Sequence, residues 1–362
     1  MSKRKLNFFA GPSVMPVEVL AELKDQIDEY QNNGLSMLEA SHRGAAFNTM
    51  YHECLDLFRE LLGIPENYSV FFLGGGATLQ FAMIPMNFLG AGQTADYFKC
   101  GAWSNKACDD ALKLGNVHIM FDGKDSNYTT LPDPESITPD DHAAYLYLCS
   151  NETIGGIEWQ GWPETGNVPL IADMSSDIMS RPIPVEKFAM IYGGVQKNLG
   201  PAGATFIILR DDMLEKSPKN LAAYLNYNTH AKKDGLYNTP PVFSIWGVKL
   251  VLEWVKAHGG VQGMAERATR KSNLLYNTIE KLNDVFYSPV DARYRSKMNV
   301  VFRLRDEILE KRFLDGTVQL DMLGLKGHRS VGGCRASIYN SLSEESVVAL
   351  VDYMNEFAKK NG

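Results

Sequence analysis

Five short apolar runs between Val70 and Leu209, separated by turns and helical segments, constrain the fold more than any other feature of this chain. The runs are VFFL, AAYLYLC, VPLIAD, AMIYGG and TFIIL. Strands that are apolar on both faces are typical of a mostly parallel sheet covered by helices. We therefore predict an α/β fold, in which ligands bind beyond the carboxyl ends of the strands.

Helical periodicity precedes and follows these runs. Apolar residues recur at helical spacing after Pro16, which predicts a first helix that continues to a stop at Gly34. The same spacing predicts a second helix that ends before Gly63.

The pair Gly259-Gly260 follows another helical segment and is the most plausible domain boundary. Beyond it, helical segments alternate with the strand-like runs MNVVFRL and RASIY. We therefore predict a large domain of residues 16–260 and a smaller α+β domain that is formed by residues 1–15 plus 261–362.

Composition limits the class of partner. The chain has 362 residues, and its 43 acidic and 36 basic side chains give a net charge of −7. This balance, without a run of five basic residues, argues against nucleic acid or an anionic membrane, because both need a concentrated positive field. A local cluster of cations can still hold a small anion. The five cysteines are scattered and form no CxxC pair, which indicates neither disulfides nor a metal site and favours the reducing cytoplasm.

The first candidate ligand site follows VFFL, where three glycines lead through Ala77 and Thr78 into an apolar helix. Small residues let backbone N–H groups approach a phosphate at a helix N-terminus. A tight turn without a ligand explains the glycines equally well, and the lysine of a Walker A loop is absent.

Asp173 and Lys197 form a second candidate site, because each follows the end of a predicted strand. A pyridoxal phosphate site requires this combination: the lysine forms a Schiff base with the cofactor, and the carboxylate keeps the pyridine nitrogen protonated. Taken alone, Asp173 could instead cap the next segment and Lys197 could be a solvated loop residue.

Sequence blocks along nearly the whole chain resemble the phosphoserine aminotransferases, a family of class V aminotransferases on the type I pyridoxal phosphate fold. The blocks are NFFAGPSVMP near the start, SHRG at 41–44, NET at 151–153, DMSS at 173–176, QKNLGPAG at 196–203, NTPP at 238–241, KGHR at 326–329 and GGCRASIYN at 332–340.

The resemblance implies a role for each matching residue on the cofactor side. Lys197 would bind pyridoxal 5′-phosphate covalently, Asp173 would pair with its pyridinium nitrogen, and Trp103 would stack on its ring. Thr153 would lie near the phenolic oxygen, and the cofactor phosphate would be bound by Ala77, Thr78 and Gln196. The resemblance also implies a homodimer with shared active sites, in which Asn238 and Thr239 reach the phosphate of the partner subunit's cofactor.

On the substrate side, a phosphorylated amino acid carries a carboxylate and a phosphate, and several fixed cations are needed to bind both. By resemblance, Arg335 would bind the α-carboxylate, and His42, Arg43, His328 and Arg329 would serve the distal anion. Some family members carry an arginine where Thr78 aligns here, so one possible cation is missing from this chain.

The reaction that the resemblance implies is amino transfer from L-glutamate to 3-phosphohydroxypyruvate in serine biosynthesis, giving O-phospho-L-serine and 2-oxoglutarate. The sequence leaves open whether 4-phosphohydroxythreonine is also used. Another class V enzyme, such as a serine:glyoxylate aminotransferase or a cysteine desulfurase, and a non-catalytic pyridoxal phosphate binding protein are the main alternatives. A nicotinamide-dependent oxidoreductase fits poorly, because GGGATLQF is not a GxGxxG motif.

Overall fold

The computed structural model describes residues 4–361. The strands in chain order are β1 (Leu6–Asn7), β2 (Tyr68–Leu73), β3 (Thr94–Lys99), β4 (Asn116–Asp122), β5 (Leu146–Cys149), β6 (Asn151–Glu152), β7 (Ile157–Glu158), β8 (Leu170–Asp173), β9 (Met190–Gly194), β10 (Thr205–Arg210), β11 (Phe286–Tyr287), β12 (Asn299–Leu304), β13 (Met322–Leu323) and β14 (Cys334–Ser337). The α-helices are α1 (Val17–Asp25), α2 (Ala45–Leu62), α3 (Gly76–Phe88), α4 (Ala102–Ala111), α5 (Tyr227–Ala231), α6 (Val242–Ala257), α7 (Gly260–Lys281), α8 (Glu307–Gln319) and α9 (Glu344–Asn361).

The central element is a seven-stranded sheet in the order β2-β10-β9-β8-β5-β3-β4. Strands β4, β3, β5, β8 and β9 are parallel, whereas β10 runs antiparallel to both β9 and β2. The five apolar runs became β2, β5, β8, β9 and β10. The prediction of an α/β fold with a mostly parallel sheet is therefore confirmed.

Both faces of this sheet are covered, and successive strand residues belong to different cores. Phe72 packs into a cluster that includes Phe58 of α2 and Trp246 of α6. Its neighbour Phe71 packs into a second cluster that includes Ile84 of α3. The alternation of side chains along a strand places each core on one face, which explains why the runs are apolar at every position.

A third core lies in the C-terminal part of the chain. Strands β11, β12 and β14 form an antiparallel sheet. Its cluster includes residues of α7 and α9, and Phe8 joins it from the N-terminal segment. This separate core supports a small domain of residues 1–15 plus 261–362, and the boundary near residue 260 stays a prediction. Residues 1–3 and 362 of that assignment lie outside the described residues.

The predicted first helix is wrong in its length. Helix α1 ends at Asp25, and the chain then runs through turns in which Gln31 and Asn32 have φ of 50° and 57°. Left-handed backbone at two successive residues cannot continue a right-handed helix. Tyr30 is nevertheless buried, because its ring packs edge-on against Trp246 at 5.7 Å. The helix predicted to end before Gly63 is α2, and Gly63 has the left-handed φ of 63° that often ends helices.

Within residues 4–361, no helix has the length and apolar character that a membrane span requires.

Candidate active site

One cavity at the carboxyl ends of the strands gathers residues that lie far apart in sequence. Its lining includes six of the predicted site residues, namely Ala77, Thr78, Trp103, Asp173, Gln196 and Lys197. They follow β2, β3, β8 and β9, whose carboxyl ends meet at one edge of the sheet. The parallel arrangement thus brings together side chains that the chain separates by more than a hundred positions.

Lys197 projects from the loop between β9 and β10 into this cavity. Its Nζ donates to Thr153 Oγ1 at 2.5 Å and lies 5.4 Å from the centre of the Trp103 ring. Burial lowers the pKa of Lys197, although the nearby Asp173 opposes the shift. A larger fraction of the amine is therefore neutral than in a solvated lysine, as a nucleophile or base needs.

Asp173 ends β8 and is buried at the floor of the cavity. Its Oδ1 accepts from the Ser175 backbone N–H at 2.8 Å and from Ser175 Oγ at 2.6 Å. Oδ1 therefore does cap the following turn, but no donor within residues 4–361 is hydrogen-bonded to Oδ2. Burial raises the pKa of Asp173, while Lys197 and the two Ser175 bonds oppose that rise. One carboxylate oxygen is left for a cationic partner in the cavity.

The glycine-rich loop ends in the N-terminus of α3. Gly75 and Gly76 have φ of 92° and 68°. A Cβ at Gly75 would lie 2.4 Å from the Leu79 side chain, so this tight turn admits only glycine. The first N–H groups of a helix have no partner within it, and Ala77 and Thr78 in that turn line the cavity. This arrangement suits a phosphate group.

Arg335 approaches from β14 and is buried, with only 9% of its surface exposed. Its Nη1 donates to the Thr153 carbonyl at 3.4 Å, and its buried Nε has no hydrogen-bond partner. No carboxylate among the described residues forms an ion pair with it, and burial lowers its pKa. A buried guanidinium without a counter-charge is unfavourable unless a ligand supplies the anion.

Further positive charge lies beside Arg335. His328 and Arg329 belong to the loop that precedes β14, and His328 Nδ1 is 2.7 Å from Ser330 Oγ. The pKa of His328 is lowered by partial burial and then by the charges of Arg335, Arg329 and Lys106.

Sequence reasoning missed Lys106, whose Nζ lies 4.6 Å from the centre of the Trp103 ring. Its place three residues after Trp103 on α4, and therefore on the same helix face, was the signal that could have found it.

Of the fourteen predicted site residues, eight are not in the lining of this cavity. Thr153 and Arg335 nevertheless connect to Lys197 through the hydrogen bonds at Thr153, and His328 and Arg329 lie in the loop before β14.

The remaining four predicted site residues lie elsewhere in the chain. His42 and Arg43 lie in the turns before α2, and Asn238 and Thr239 are exposed in the loop before α6. The structure therefore does not bring these four to Lys197 within one chain.

The residues around the cavity fit pyridoxal phosphate on several independent grounds. A free Oδ2 of Asp173 suits the pyridine nitrogen, an unpaired helix N-terminus suits the phosphate, and an aromatic face lies beside Lys197 Nζ. A fold with a mostly parallel sheet and a buried lysine and carboxylate at its edge defines a pyridoxal-phosphate-dependent enzyme.

Comparison with known proteins supplies the family. The model of the family described as aminotransferase class-V matches residues 5–350. A phosphoserine aminotransferase of Niallia circulans is 47% identical over 362 residues, which cover all of both chains. The solved phosphoserine aminotransferase from Bacillus circulans subspecies alkalophilus superposes with a TM-score of 0.98 at 47% identity, covering all of both chains. A pyridoxal-phosphate-bound phosphoserine aminotransferase from Trichomonas vaginalis gives a TM-score of 0.89 at 35% identity, over 97% of this chain and all of that one.

The chain belongs to the class V aminotransferases and, within them, to the phosphoserine aminotransferase family. It is a transaminase whose cofactor is pyridoxal phosphate.

Proposed function

We propose that this enzyme transfers an amino group reversibly from L-glutamate to 3-phosphohydroxypyruvate, giving O-phospho-L-serine and 2-oxoglutarate for serine biosynthesis. The observation that carries this proposal is the buried, unpaired Arg335 beside Lys197, with the cations of Arg329 and Lys106 and the imidazole of His328 next to it. All four of these substrates carry a carboxylate and a second anionic group, and this cluster offers cations for both.

The residues in and beside the cavity would hold the cofactor. Lys197 would bond to it covalently, Asp173 Oδ2 would pair with the pyridine nitrogen, and Trp103 would stack on the ring. The N-terminus of α3 at Ala77 and Thr78 would bind the phosphate together with Gln196, and Thr153 would lie near the phenolic oxygen. When bound, pyridoxal phosphate supplies an electron sink for negative charge at the substrate α-carbon.

Lys197 is also the general base of the reaction. Once the incoming amine has displaced it, its Nζ would take the proton from the substrate α-carbon and deliver it to the cofactor carbon that carries the substrate nitrogen, so that the amino group stays behind when the keto acid leaves. The lowered pKa of Lys197 favours the neutral amine that accepts this proton. The hydrogen bond to Thr153 Oγ1 keeps Nζ on the Trp103 side of the cavity.

Arg335 binds the α-carboxylate with its guanidinium fork, because it is fixed through Thr153 and lies in the wall of the site. His328, Arg329, His42 and Arg43 serve the substrate phosphate or the distal carboxylate of glutamate. With Thr78 in place of an arginine, these side chains carry the recognition of the phosphate.

The site is shared between two subunits of a homodimer. Two exposed apolar side chains flank the loop that carries Asn238 and Thr239, namely Tyr237, 43% exposed, and Phe243, 39% exposed. A partner that covers this surface brings Asn238 and Thr239 to the phosphate of the partner subunit's cofactor. We also propose a cytoplasmic location, since all five cysteines are free.

A cysteine desulfurase activity is disfavoured by the same cysteines. All five are buried, and burial raises the pKa of each thiol. Such an enzyme needs an accessible thiolate.

Substrate profiling of the purified holoenzyme tests the proposal. With glutamate as donor, we expect a much larger kcat/KM for 3-phosphohydroxypyruvate than for hydroxypyruvate or glyoxylate. Replacing Arg329 by Met lowers kcat/KM for the phosphorylated substrate at least about tenfold more than for hydroxypyruvate, about 1.4 kcal/mol. Arg293→Met is the matched control, because Arg293 pairs with Asp291 on the surface. Equal losses on both substrates, or a preference for glyoxylate, would refute the proposed specificity.

A further inference from the structure

Glu152 is a fully buried carboxylate that none of the roles above uses. It ends β6, directly before Thr153, and its side chain is 0% exposed. No cation within residues 4–361 forms an ion pair with it, in contrast to the equally buried Glu158, which pairs with Arg181 at 3.4 Å. A carboxylate buried in this way needs a full set of hydrogen bonds, so its partners show its purpose.

All of the partners of Glu152 lie in the first turn of α4. Its Oε2 accepts from the Trp103 backbone N–H at 3.0 Å. Its Oε1 accepts from the Ser104 backbone N–H at 2.7 Å and from Ser104 Oγ at 2.7 Å. Negative charge at a helix N-terminus also interacts favourably with the helix dipole. One side chain therefore binds the backbone of Trp103 and that of the next residue.

The packing at this point leaves little freedom. A Cβ on Gly101 would lie 2.6 Å from Glu152 Cδ, so the chain before Trp103 rests directly on the carboxyl group. Two consecutive residues therefore contact two functional side chains or their backbone. Glu152 accepts a hydrogen bond from the Trp103 backbone N–H, and Thr153 accepts one from Lys197 Nζ.

We propose that Glu152 is a positioning residue, which fixes the distance between the Trp103 ring and Lys197 by anchoring the first turn of α4 to the end of β6, directly before Thr153. This inference rests on the proposed stacking of Trp103 on the cofactor, and it adds a residue that touches neither cofactor nor substrate.

The test replaces Glu152 by Gln, which preserves the shape of the side chain but turns an NH₂ group toward one of the backbone N–H donors. We expect the dissociation constant of pyridoxal phosphate, measured by titrating the apoenzyme, to rise at least about tenfold, which is roughly 1.4 kcal/mol. The visible circular dichroism of the bound cofactor should weaken, because the ring loses a fixed orientation. Glu158→Gln is the matched control: it weakens the ion pair with Arg181 and should unfold at lower temperature, but its cofactor dichroism should stay as in the wild type.

Double variants separate positioning from general damage. If Glu152 acts through Trp103, the pair Glu152→Gln with Trp103→Ala binds the cofactor no more weakly than Trp103→Ala alone. Glu152→Asp, which keeps the charge but withdraws it by one methylene, should give an intermediate dichroism and serves if the Gln variant does not fold. Wild-type cofactor affinity and dichroism in both Glu152 variants, or additive losses in the double variant, would overturn the proposal. Cofactor affinity and dichroism are measured without substrate, so this test is independent of the proposed substrate specificity.

Discussion

At the scale of single residues, Thr153 links two functional side chains of the site. Its Oγ1 accepts a hydrogen bond from Lys197 Nζ, and its carbonyl accepts one from Arg335 Nη1. The two functional groups that would bind the amine and the carboxylate of an amino acid are thus placed relative to each other by a single residue. Lys197, Asp173 and Arg335 could be predicted from motif blocks in the sequence. Glu152 could not, because its function depends on the backbone of another segment and has no signature in its own neighbours.

Replacing Arg335 by Lys tests the guanidinium fork. Lysine keeps the charge but cannot form two parallel bonds to a carboxylate. We expect kcat/KM to fall for both glutamate and O-phosphoserine, by an amount equivalent to a loss of about 2–3 kcal/mol of transition-state stabilisation. Steady-state assays should also show KM rising for both substrates. Arg303→Lys on the neighbouring strand is the control, since its partner is Glu310 at 3.5 Å. A loss confined to one of the two substrates would contradict binding of the shared α-carboxylate.

At the scale of elements, strands with apolar residues on both faces could be predicted from the sequence. The strands that could not be predicted differ for physical reasons. Edge strand β4 is largely exposed and reads NVHIMFD, so it lacks an apolar run. Strand β3 carries the buried Asp96, whose Oδ1 lies 2.9 Å from His118 Nδ1. Helix α1 ends where Gln26 leaves the helical backbone with φ of −112°, which apolar periodicity does not show.

Helix α7 is joined to the chain that follows β14 by one buried lysine. In its protonated form, Lys271 Nζ donates to the carbonyls of Ile338, Tyr339 and Leu342 at 2.9, 2.6 and 2.9 Å. The same segment contains Asn340, whose N–H donates to Asn198 Oδ1 at 3.0 Å, next to Lys197. The helix thus supports the catalytic loop through one intermediate segment.

Stability should depend on pH through Lys271. Burial lowers its pKa to about 7, Arg267 and Arg270 add to that shift, and Glu344 opposes it. Between pH 7 and the ordinary lysine pKa of about 10.4, the unfolded chain binds the proton and the folded chain does not, so the free energy of unfolding rises with pH.

Lys271→Met should flatten this rise and destabilise the protein by roughly 1–3 kcal/mol, because carbonyls are left unpaired. Urea unfolding at pH 7, 8.5 and 10 measures both effects, with the exposed Lys113→Met as control. If the free energy of unfolding of Lys271→Met rose with pH as steeply as that of the wild type, a group other than Lys271 would be responsible for the pH dependence.

At the scale of the whole molecule, the charges divide between a net negative surface and a local cationic cluster. The net charge of −7 argues against polyanions as partners, but only the three-dimensional arrangement shows that Arg335, Arg329 and Lys106 converge on one histidine. The proposed shared site belongs to the same scale: Asn238 and Thr239 match the family's motif, yet they do not line the cavity of their own Lys197.

Mixing two inactive variants tests the shared site. Lys197→Ala lacks the catalytic amine, and Thr239→Asp places a negative charge where the partner subunit's cofactor phosphate is expected. After co-refolding of equal amounts, mixed dimers contain one site with wild-type Lys197 and wild-type Thr239, so roughly a quarter of wild-type activity should return. Each variant refolded alone is the control. A mixture as inactive as its components would show that each site is built from one chain.

The position of Lys197 between β9 and β10 also determines which side of the site can move. These strands pair over five residues, and β10 pairs with β2 over six more, all within the buried sheet. The loop at 327–332, by contrast, bonds largely to itself, through Gly327 to Gly333 and through Val331 and Gly332 to His328. We therefore expect the loop of His328 and Arg329 to adjust to substrates of different length, such as glutamate and O-phosphoserine, while the sheet keeps the backbone of Lys197 in place.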